Sequence, residues 1–215
     1  MRNIESLNKY LKDNFPDLQL CKPLFYNSKI GLRFEIGCPD IDYLDKRYLE
    51  FVYIRAIMLF EELFYPDTDI YLIVNTHRSI EDMEDENNMK DIIEMYLKDK
   101  DKHDKIDLIK LPYCYQEEDE EVLSITFRYC LSCKLGDIDY KEILKAIGNQ
   151  DMGIEPLITD EVFFINKNNH IVYHLYDDRG LDIVANRKIT LKKIYKKYNK
   201  WLLDYDGKII DKTFN

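Results

Sequence analysis

The chain has 215 residues, which is enough for one large domain or two small ones. It carries 31 Lys and Arg against 41 Asp and Glu, so its formal net charge is −10. A charge of this sign repels nucleic acid and anionic membranes, so we expect neither as a partner and favour a basic protein. Hydrophobic residues make up 46% of the chain, as in a globular protein and unlike a disordered one.

The N-terminal residues lead into a polar segment without an apolar signal core. No apolar run approaches the roughly 20 residues that a membrane-spanning helix needs. The five Cys form no regular disulfide pattern. We therefore expect a cytoplasmic protein with reduced thiols.

The first third of the chain alternates helical and strand patterns. Apolar residues spaced three and four apart predict a helix over 3–15, and alternation predicts a strand over 30–36. The longest helical pattern runs over 43–64 and has little polar face in its second half. We expect that helix to be central and covered on most sides. An apolar run over 69–74 predicts a further strand.

The middle of the chain is more charged. Residues 77–88 break the pattern, and the acidic run inside them predicts a solvated loop. A modest helix is predicted over 89–97 and a strand over 106–111. A second acidic run follows over 116–121.

The last third has the clearest patterns. A strand is predicted over 122–131, and a short helix over 138–147 that ends at Gly148. Alternation and turn residues then predict an antiparallel meander with strands Glu161–Asn166, His170–Tyr176 and Leu181–Asn186. A helix over 190–203, with Thr190 as its N-cap, closes the chain.

These elements mix without a strict βαβ order, which favours the α+β class with a mainly antiparallel sheet and flanking helices. We expect a single domain over 1–215 made of two halves. The N-terminal α/β half covers 1–111, and the C-terminal half, a meander followed by a helix, covers 122–215. The acidic stretch 112–121 separates them.

The most distinctive segment is the turn between the last two predicted strands. Asp177 and Gly180 occupy the first and fourth positions of a type I turn, and Asp177 can accept bonds from the turn's N–H groups. The pattern also predicts a left-handed conformation for Gly180. Tyr176 precedes the turn.

Three charged groups, Asp178, Arg179 and Asp182, are not required by that turn. Arg179 can bridge the two aspartates or pair with a carboxylate elsewhere. If these groups are satisfied by one another and by the last helix, they hold hairpin and helix together. If they point outward, the hairpin tip binds a partner. The alternative is a metal-dependent hydrolase that uses His174, Asp177, Asp178 and Asp182.

Two further features have structural interpretations. Cys130 and Cys133 have CxxC spacing, but one such pair lacks the four ligands of a structural zinc site. Arg55 lies within the apolar helix over 43–64. A buried arginine needs a partner, and we expect Glu35 or Glu62 to supply it.

The chain contains no GxGxxG or GxxxxGK[ST] nucleotide motif, no nucleophile elbow and no His-Glu-x-x-His zinc motif. We therefore assign no catalytic residue, no metal ligand and no cofactor. The chain is interpreted as a non-enzymatic interaction protein.

The C-terminal third resembles a bacterial family, the domain of unknown function numbered 3885. The stretches that carry the resemblance are Phe163–Asn166, Tyr173–Ile183 and Tyr195–Asp206. The resemblance is strong over 150–215 and fainter at Arg33–Gly37 and Arg55–Ala56. Leu181 stands where the family is expected to have Cys, and Gly207 where it is expected to have Arg. Because the family is uncharacterised, the resemblance implies a grouping and no activity.

The hairpin and the last helix are adjacent in sequence, so we expect them to pack together. This places Trp201 near the carboxylates of Asp204 and Asp206. A Trp beside carboxylates and an Arg is a composition typical of protein-recognition hot spots. The more specific hypothesis is an immunity-like protein that neutralises a basic toxin, because the acidic charge would speed the association.

Overall fold

The computed structural model describes residues 2–79, 91–115 and 124–215. Its six helices in this part of the chain are α1 (Asn3–Asn14), α2 (Lys46–Glu61), α3 (Asp91–Met95), α4 (Tyr140–Gly148), α5 (Lys188–Lys197) and α6 (Gly207–Phe214). Its seven strands are β1 (Gly31–Glu35), β2 (Asp69–Ser79), β3 (Asp107–Pro112), β4 (Ser124–Lys134), β5 (Glu161–Asn166), β6 (Ile171–Leu175) and β7 (Gly180–Ala185). The acidic runs over 81–86 and 116–121 lie outside the described residues.

All seven strands form one sheet in the order β1-β7-β6-β5-β2-β4-β3. Every neighbouring pair is antiparallel. The α+β class with a mainly antiparallel sheet is therefore confirmed, as is the C-terminal meander of β5, β6 and β7. The meander occupies the middle of the sheet, because β1 pairs with β7 on one side and β2 with β5 on the other.

The two faces of the sheet carry two separate cores, because side chains alternate along each strand. On the first face, apolar residues such as Leu72, Phe164 and Tyr173 pack against α2, α4, α5 and α6. On the second face, Ile73, Phe163 and their neighbours pack against α1 and residues 15–24. In residues 2–79, 91–115 and 124–215 we find no helix long and apolar enough to cross a membrane.

Helix α2 is covered on most sides, as the sequence predicted, but one apolar stripe of it is exposed. One side of α2 packs on the sheet through residues such as Val52 and Leu59, which are fully buried. The other side exposes Phe51, Ile54 and Met58 to solvent. The sequence did not predict this exposed stripe, because apolar residues all around a helix indicate burial only where a neighbouring element covers them.

Several element boundaries also differ, and a further helix, α6, follows the helix that was predicted to close the chain. Strand β2 continues through Ser79, where the sequence predicted a loop from residue 77, because it pairs with β4 along its whole length. Helix α5 begins at Lys188 after the N-cap residue Arg187, so Thr190 is not the cap. It ends at Lys197, and a short 3₁₀ turn, Asn199–Trp201, takes the place of its predicted last turn.

We predict that Phe60→Ala lowers the free energy of unfolding by about 3–5 kcal/mol. Phe60 on α2 is fully buried and its ring centroid lies 4.3 Å from that of Phe64 and 5.1 Å from that of Tyr173. Urea denaturation measures the loss. The matched control is Phe51→Ala on the exposed side of the same helix, which we expect to cost less than about 1 kcal/mol. Equal losses would contradict the assigned packing of α2.

Candidate functional site

The hairpin turn between β6 and β7 is held by Asp177. Its Oδ1 accepts the backbone N–H groups of Arg179 (2.8 Å) and Gly180 (3.3 Å), which confirms the predicted capping of the turn. Its Oδ2 accepts from the Arg179 side chain. Asp177 is therefore fully engaged within the turn.

Gly180 is required for a different reason than predicted. Its φ angle is not positive, so the expected left-handed conformation is wrong. Instead, the ring of Tyr176 lies directly over it. A Cβ atom at this position would clash with the Tyr176 hydroxyl and lie 2.8 Å from its Cζ. Only glycine leaves room for that ring, and the ring belongs to the charge network described below.

Asp178 and Arg179 point in opposite directions. Asp178 is buried, and its Oδ2 accepts a 2.8 Å bond from the hydroxyl of Tyr48 in the first turn of α2. Burial raises the pKa of this carboxyl. Arg179 is 72% exposed and pairs with Asp177 and, at 3.3 Å, with Asp151. The tip is thus joined to α2 through Asp178, and only Arg179 faces outward.

Asp182 and Asp206 share one guanidinium, that of Arg33 on β1. The two carboxylates are buried and lie 3.4 Å and 3.5 Å from its nitrogens. Asp182 also accepts the Phe25 N–H at 2.9 Å, and Asp206 accepts the Tyr26 hydroxyl at 2.8 Å. We call Arg33, Asp182, Asp206, Tyr26 and Tyr176 the Arg33 network, since the Arg33 Nε donates to the Tyr176 hydroxyl at 3.1 Å.

Burial and mutual contacts shift the pKa values of Asp182 and Arg33 in the Arg33 network. Burial raises the pKa of Asp182 to about 6, against the opposing effects of the Phe25 N–H and Arg33. Burial lowers the pKa of Arg33, but Tyr176 and Asp182 outweigh it and the net pKa is raised. A buried ion pair of this kind is costly to break, because either partner left alone is an uncompensated charge.

Trp201 and Asp204 do not join this network. The Trp201 ring lies 5.2 Å from the guanidinium carbon of Arg55 and 4.9 Å from the Tyr198 ring. Asp204 is exposed. Arg55 is only half-buried, and the predicted carboxylate partners are wrong. It donates to the backbone oxygens of Gly37 (2.8 Å) and Glu35 (3.4 Å), so carbonyls and a ring satisfy it.

The four residues of the hydrolase alternative are not brought to one site. Asp177 caps the turn, Asp178 contacts α2, and Asp182 belongs to the Arg33 network. His174 is paired in register with Asp182, but its Nδ1 bonds to the Val162 carbonyl at 2.9 Å. Among the described residues, no group of three or more metal-ligating side chains is found.

The sequence did not predict a second buried polar group, which lies on the same face of the sheet as the Arg33 network. Glu161 at the start of β5 is buried and accepts from Tyr115, from His77 (3.1 Å) and from the Asn75 amide (3.3 Å). Arg128 on β4 donates to Asn75 Oδ1 at 2.8 Å. We call these five residues the Glu161 cluster.

The Glu161 cluster keeps its carboxylate charged. Burial raises the pKa of Glu161, but bonds from His77 and Tyr115 outweigh it and lower the pKa to about 2. Burial also lowers the pKa of the neighbouring His174, to about 4, despite the Val162 carbonyl and Glu161, and this favours the neutral form of the imidazole. The structure therefore holds the charged carboxylate of Glu161 beside the neutral imidazole of His174.

One signal in the sequence points to this cluster. Asn75 and His77 are two residues apart on β2, and Thr126 and Arg128 are two residues apart on β4. Here an apolar strand pattern continues into residues that are polar at every second position. Because alternate side chains of a strand share one face of the sheet, this pattern indicates that one face is polar at that end of the strand. The strand prediction stopped at residue 74, before this pattern began.

Comparison with known proteins places the chain in a family. The family described as "Domain of unknown function (DUF3885)" matches residues 7–206. The chain belongs to this DUF3885 family. The match includes the N-terminal region, where the sequence resemblance was faint, so it covers both the Arg33 network and the Glu161 cluster.

A relative of similar length is also found among known proteins. The chain is similar to the "Uncharacterized protein YnaE" of Bacillus subtilis (strain 168), with 26% identity over 207 residues. The alignment spans 91% of this chain and 96% of the relative. No solved structure matches the chain. DUF3885 membership thus defines a family and leaves its function to be proposed from the structure.

We predict that Gly180→Ala destabilises the fold by about 1–3 kcal/mol, because its Cβ would displace the Tyr176 ring and with it a partner of Arg33. Urea denaturation measures the change. Gly207→Ala is the control, since a Cβ there meets nothing within 4 Å and the backbone is helical. A Gly180→Ala protein as stable as the Gly207→Ala protein would show that the Tyr176 contact is unimportant.

We also predict that His174 makes the fold sensitive to acid. Its folded-state pKa of about 4 lies below its ordinary value of 6.5, so the unfolded chain binds the proton more readily between these values. Its contribution to stability is therefore present above pH 6.5 and is lost as the pH falls towards 4. Linkage makes the loss on the order of 3 kcal/mol.

His174→Phe removes the titrating group and keeps a ring that can stack on Phe163, whose centroid lies 4.2 Å away. We expect its stability to vary less than that of the wild type between pH 4 and 6.5, as measured by urea denaturation across that range. His103→Asn, which leaves His174 in place, is the control. An unchanged slope for His174→Phe would refute the assignment.

Proposed function

We propose that this DUF3885 protein is a non-enzymatic interaction protein that binds a basic protein partner. The observation that carries the proposal is an exposed apolar surface on α2 and the turn before it. The turn residues Tyr43 and Leu44 are 63% and 77% exposed, and Ile54 on the helix is 53% exposed. The α2 surface consists of Tyr43, Leu44, Phe51, Ile54 and Met58.

An exposed cluster of this kind is typical of a protein–protein contact, since isolated apolar residues are common on surfaces but contiguous patches are not. Phe51, Ile54 and Met58 follow one another at three- and four-residue spacing, so they form one stripe along α2. The turn with Tyr43 and Leu44 extends the patch at the N-terminal end of the helix. The patch has the apolar centre that interfaces bury.

The charges around the α2 surface support a basic partner. Exposed carboxylates of Glu35, Asp40, Asp42 and Glu50 lie on β1, on the turn and on α2. Over 35–50 the chain carries five carboxylates against two cations, Lys46 and Arg47. Arg47 is paired with Asp45 and lowers the pKa of that carboxyl to about 2 through hydrogen bonds. The surface is therefore negative around an apolar centre, in keeping with the net charge of −10.

A cavity between the hairpin tip and this turn supplies a place for a basic side chain. It has a volume of about 400 Å³ and is lined in part by Glu35, Asp42, Tyr43 and Arg179. A lysine or arginine of the partner would meet two carboxylates there. Arg179, the outward-facing residue of the tip, would in turn meet an acidic group of the partner.

The more specific form of the proposal is an immunity-like role, in which the partner is a basic toxin. Acidic surfaces speed association with basic proteins, and rapid capture is what neutralisation of a toxin demands. The two acidic runs over 81–86 and 116–121 add to the negative charge.

The test is capture of partners on immobilised wild-type protein, with products of neighbouring genes co-expressed, followed by measurement of the affinity for each captured protein. We expect a partner of positive net charge whose affinity falls at high salt. The double variant Ile54→Ala/Met58→Ala should weaken binding by at least about tenfold, because interface hot spots are worth roughly 2 kcal/mol or more.

Ile189→Ala/Tyr205→Ala is the matched control, since it removes two side chains that are 69% and 85% exposed but lie outside the α2 surface. It should bind as the wild type does. Capture of no protein, or a partner whose affinity both double variants leave unchanged, would overturn the proposal. If the captured protein is toxic, co-expression of the wild type should restore growth and the Ile54→Ala/Met58→Ala protein should not.

A further inference from the structure

A second cavity lies on the opposite face of the sheet from α2. It has a volume of about 480 Å³, within the range typical of small-molecule sites. Its walls come from α1 and the segment after it, from the end of β3, and from β2 and β4. They include the apolar side chains of Leu11, Leu18 and Leu111 and the polar side chains of Asn75, Thr126 and Arg128.

Arg128 is the charged group on the wall of this cavity. Its Nε donates to Asn75 Oδ1 at 2.8 Å and its Nη2 donates to the Leu20 carbonyl at 3.1 Å. Both acceptors are neutral. A guanidinium has five N–H donors, so the two bonds that it makes to described residues satisfy only part of its capacity.

The environment of Arg128 is the reverse of that of Arg33. Desolvation lowers the pKa of Arg128, and the surrounding groups do not restore it. The pKa of Arg33 is raised, because Asp182 and Tyr176 compensate for its burial. Arg128 is half-buried, and an arginine withdrawn from water is ordinarily paired with an anion. Arg128 therefore lies in a site that an anion would complete.

Glu161 acts on Arg128 through its charge, which raises the pKa of Arg128 without offsetting the effect of burial, but among the described residues no hydrogen bond joins the two side chains. Its carboxylate is engaged by Tyr115, His77 and the amide of Asn75. The Asn75 amide also donates to the Leu20 carbonyl at 2.8 Å. Asn75 is thereby held in one orientation, with its nitrogen towards Glu161 and its oxygen towards Arg128.

We propose that this cavity binds a small organic monocarboxylate. The carboxylate accepts hydrogen bonds from the guanidinium of Arg128, whose planar fork matches two carboxylate oxygens. The apolar body of the ligand packs against Leu11, Leu18 and Leu111. The site is independent of the α2 surface, because it lies on the other face of the sheet.

The test uses hexanoate as the probe, with isothermal titration calorimetry on the full chain. Hexanoate carries one carboxylate on an apolar chain, and hexylamine has the same chain with the opposite charge. We expect hexanoate to bind at least about tenfold more tightly than hexylamine, because a charged hydrogen bond contributes roughly a factor of ten. Inorganic phosphate, which lacks the apolar body, should bind more weakly than hexanoate.

Variants of residues that line this cavity test whether hexanoate binds there. Arg128→Met should weaken hexanoate binding by at least about tenfold. Gln19 is exposed at the same cavity, so Gln19→Lys and Gln19→Glu change the local charge without disturbing the core. We expect the lysine variant to bind hexanoate more tightly than the wild type and the glutamate variant more weakly.

The Gln19 pair keeps the test decisive if Arg128→Met does not fold, which circular dichroism would reveal. Hexylamine binding as tightly as hexanoate would overturn the proposal, as would no saturable hexanoate binding. Equal hexanoate affinities of the two Gln19 variants would also overturn it.

Discussion

The charge network around Arg33 holds distant parts of the chain together. One guanidinium on β1 contacts carboxylates from β7 and from the turn before α6, and the same carboxylates fix the Phe25–Tyr26 segment. Tyr176 completes this network from the end of β6, and Gly180 lets its ring approach. Because two buried carboxylates share one cation, loss of Arg33 would strand both of them. Within the Tyr-Asp-Asp-Arg-Gly motif only Arg179 is exposed, and the other four residues are buried or half-buried against the rest of the chain.

The sheet separates two surfaces with different chemistry. Helix α2 lies on one face and exposes an apolar stripe that is surrounded by carboxylates. Such a surface suits a macromolecular partner. The other face has polar side chains at the end where β5, β2 and β4 meet, and there a cavity holds a partly satisfied guanidinium. The two proposals concern different faces, so a failure of one leaves the other standing.

Local patterns in the sequence predicted the α+β class, the meander and the Asp177 turn, because alternation and turn chemistry are local properties. The exposure of α2 was not predictable in this way, since a helix apolar on all sides gives no sign of which side lacks a partner. The Glu161 cluster depends on strand register, which brings Asn75 opposite both Arg128 and Glu161. Register between strands so far apart in the chain cannot be obtained from the pattern of any single strand.

The pairing of β1 with β7 also has a consequence for biosynthesis. Leu32 on β1 lies opposite Ile183 on β7, although most of the chain separates them. In the sheet order, β1 is an edge strand with β7 as its neighbour. During translation β1 leaves the ribosome long before β7. It cannot form this pairing until the hairpin that carries β7 has also left the ribosome. We therefore expect the addition of β1 to the sheet to be a late step of folding, because it depends on a contact of long sequence separation.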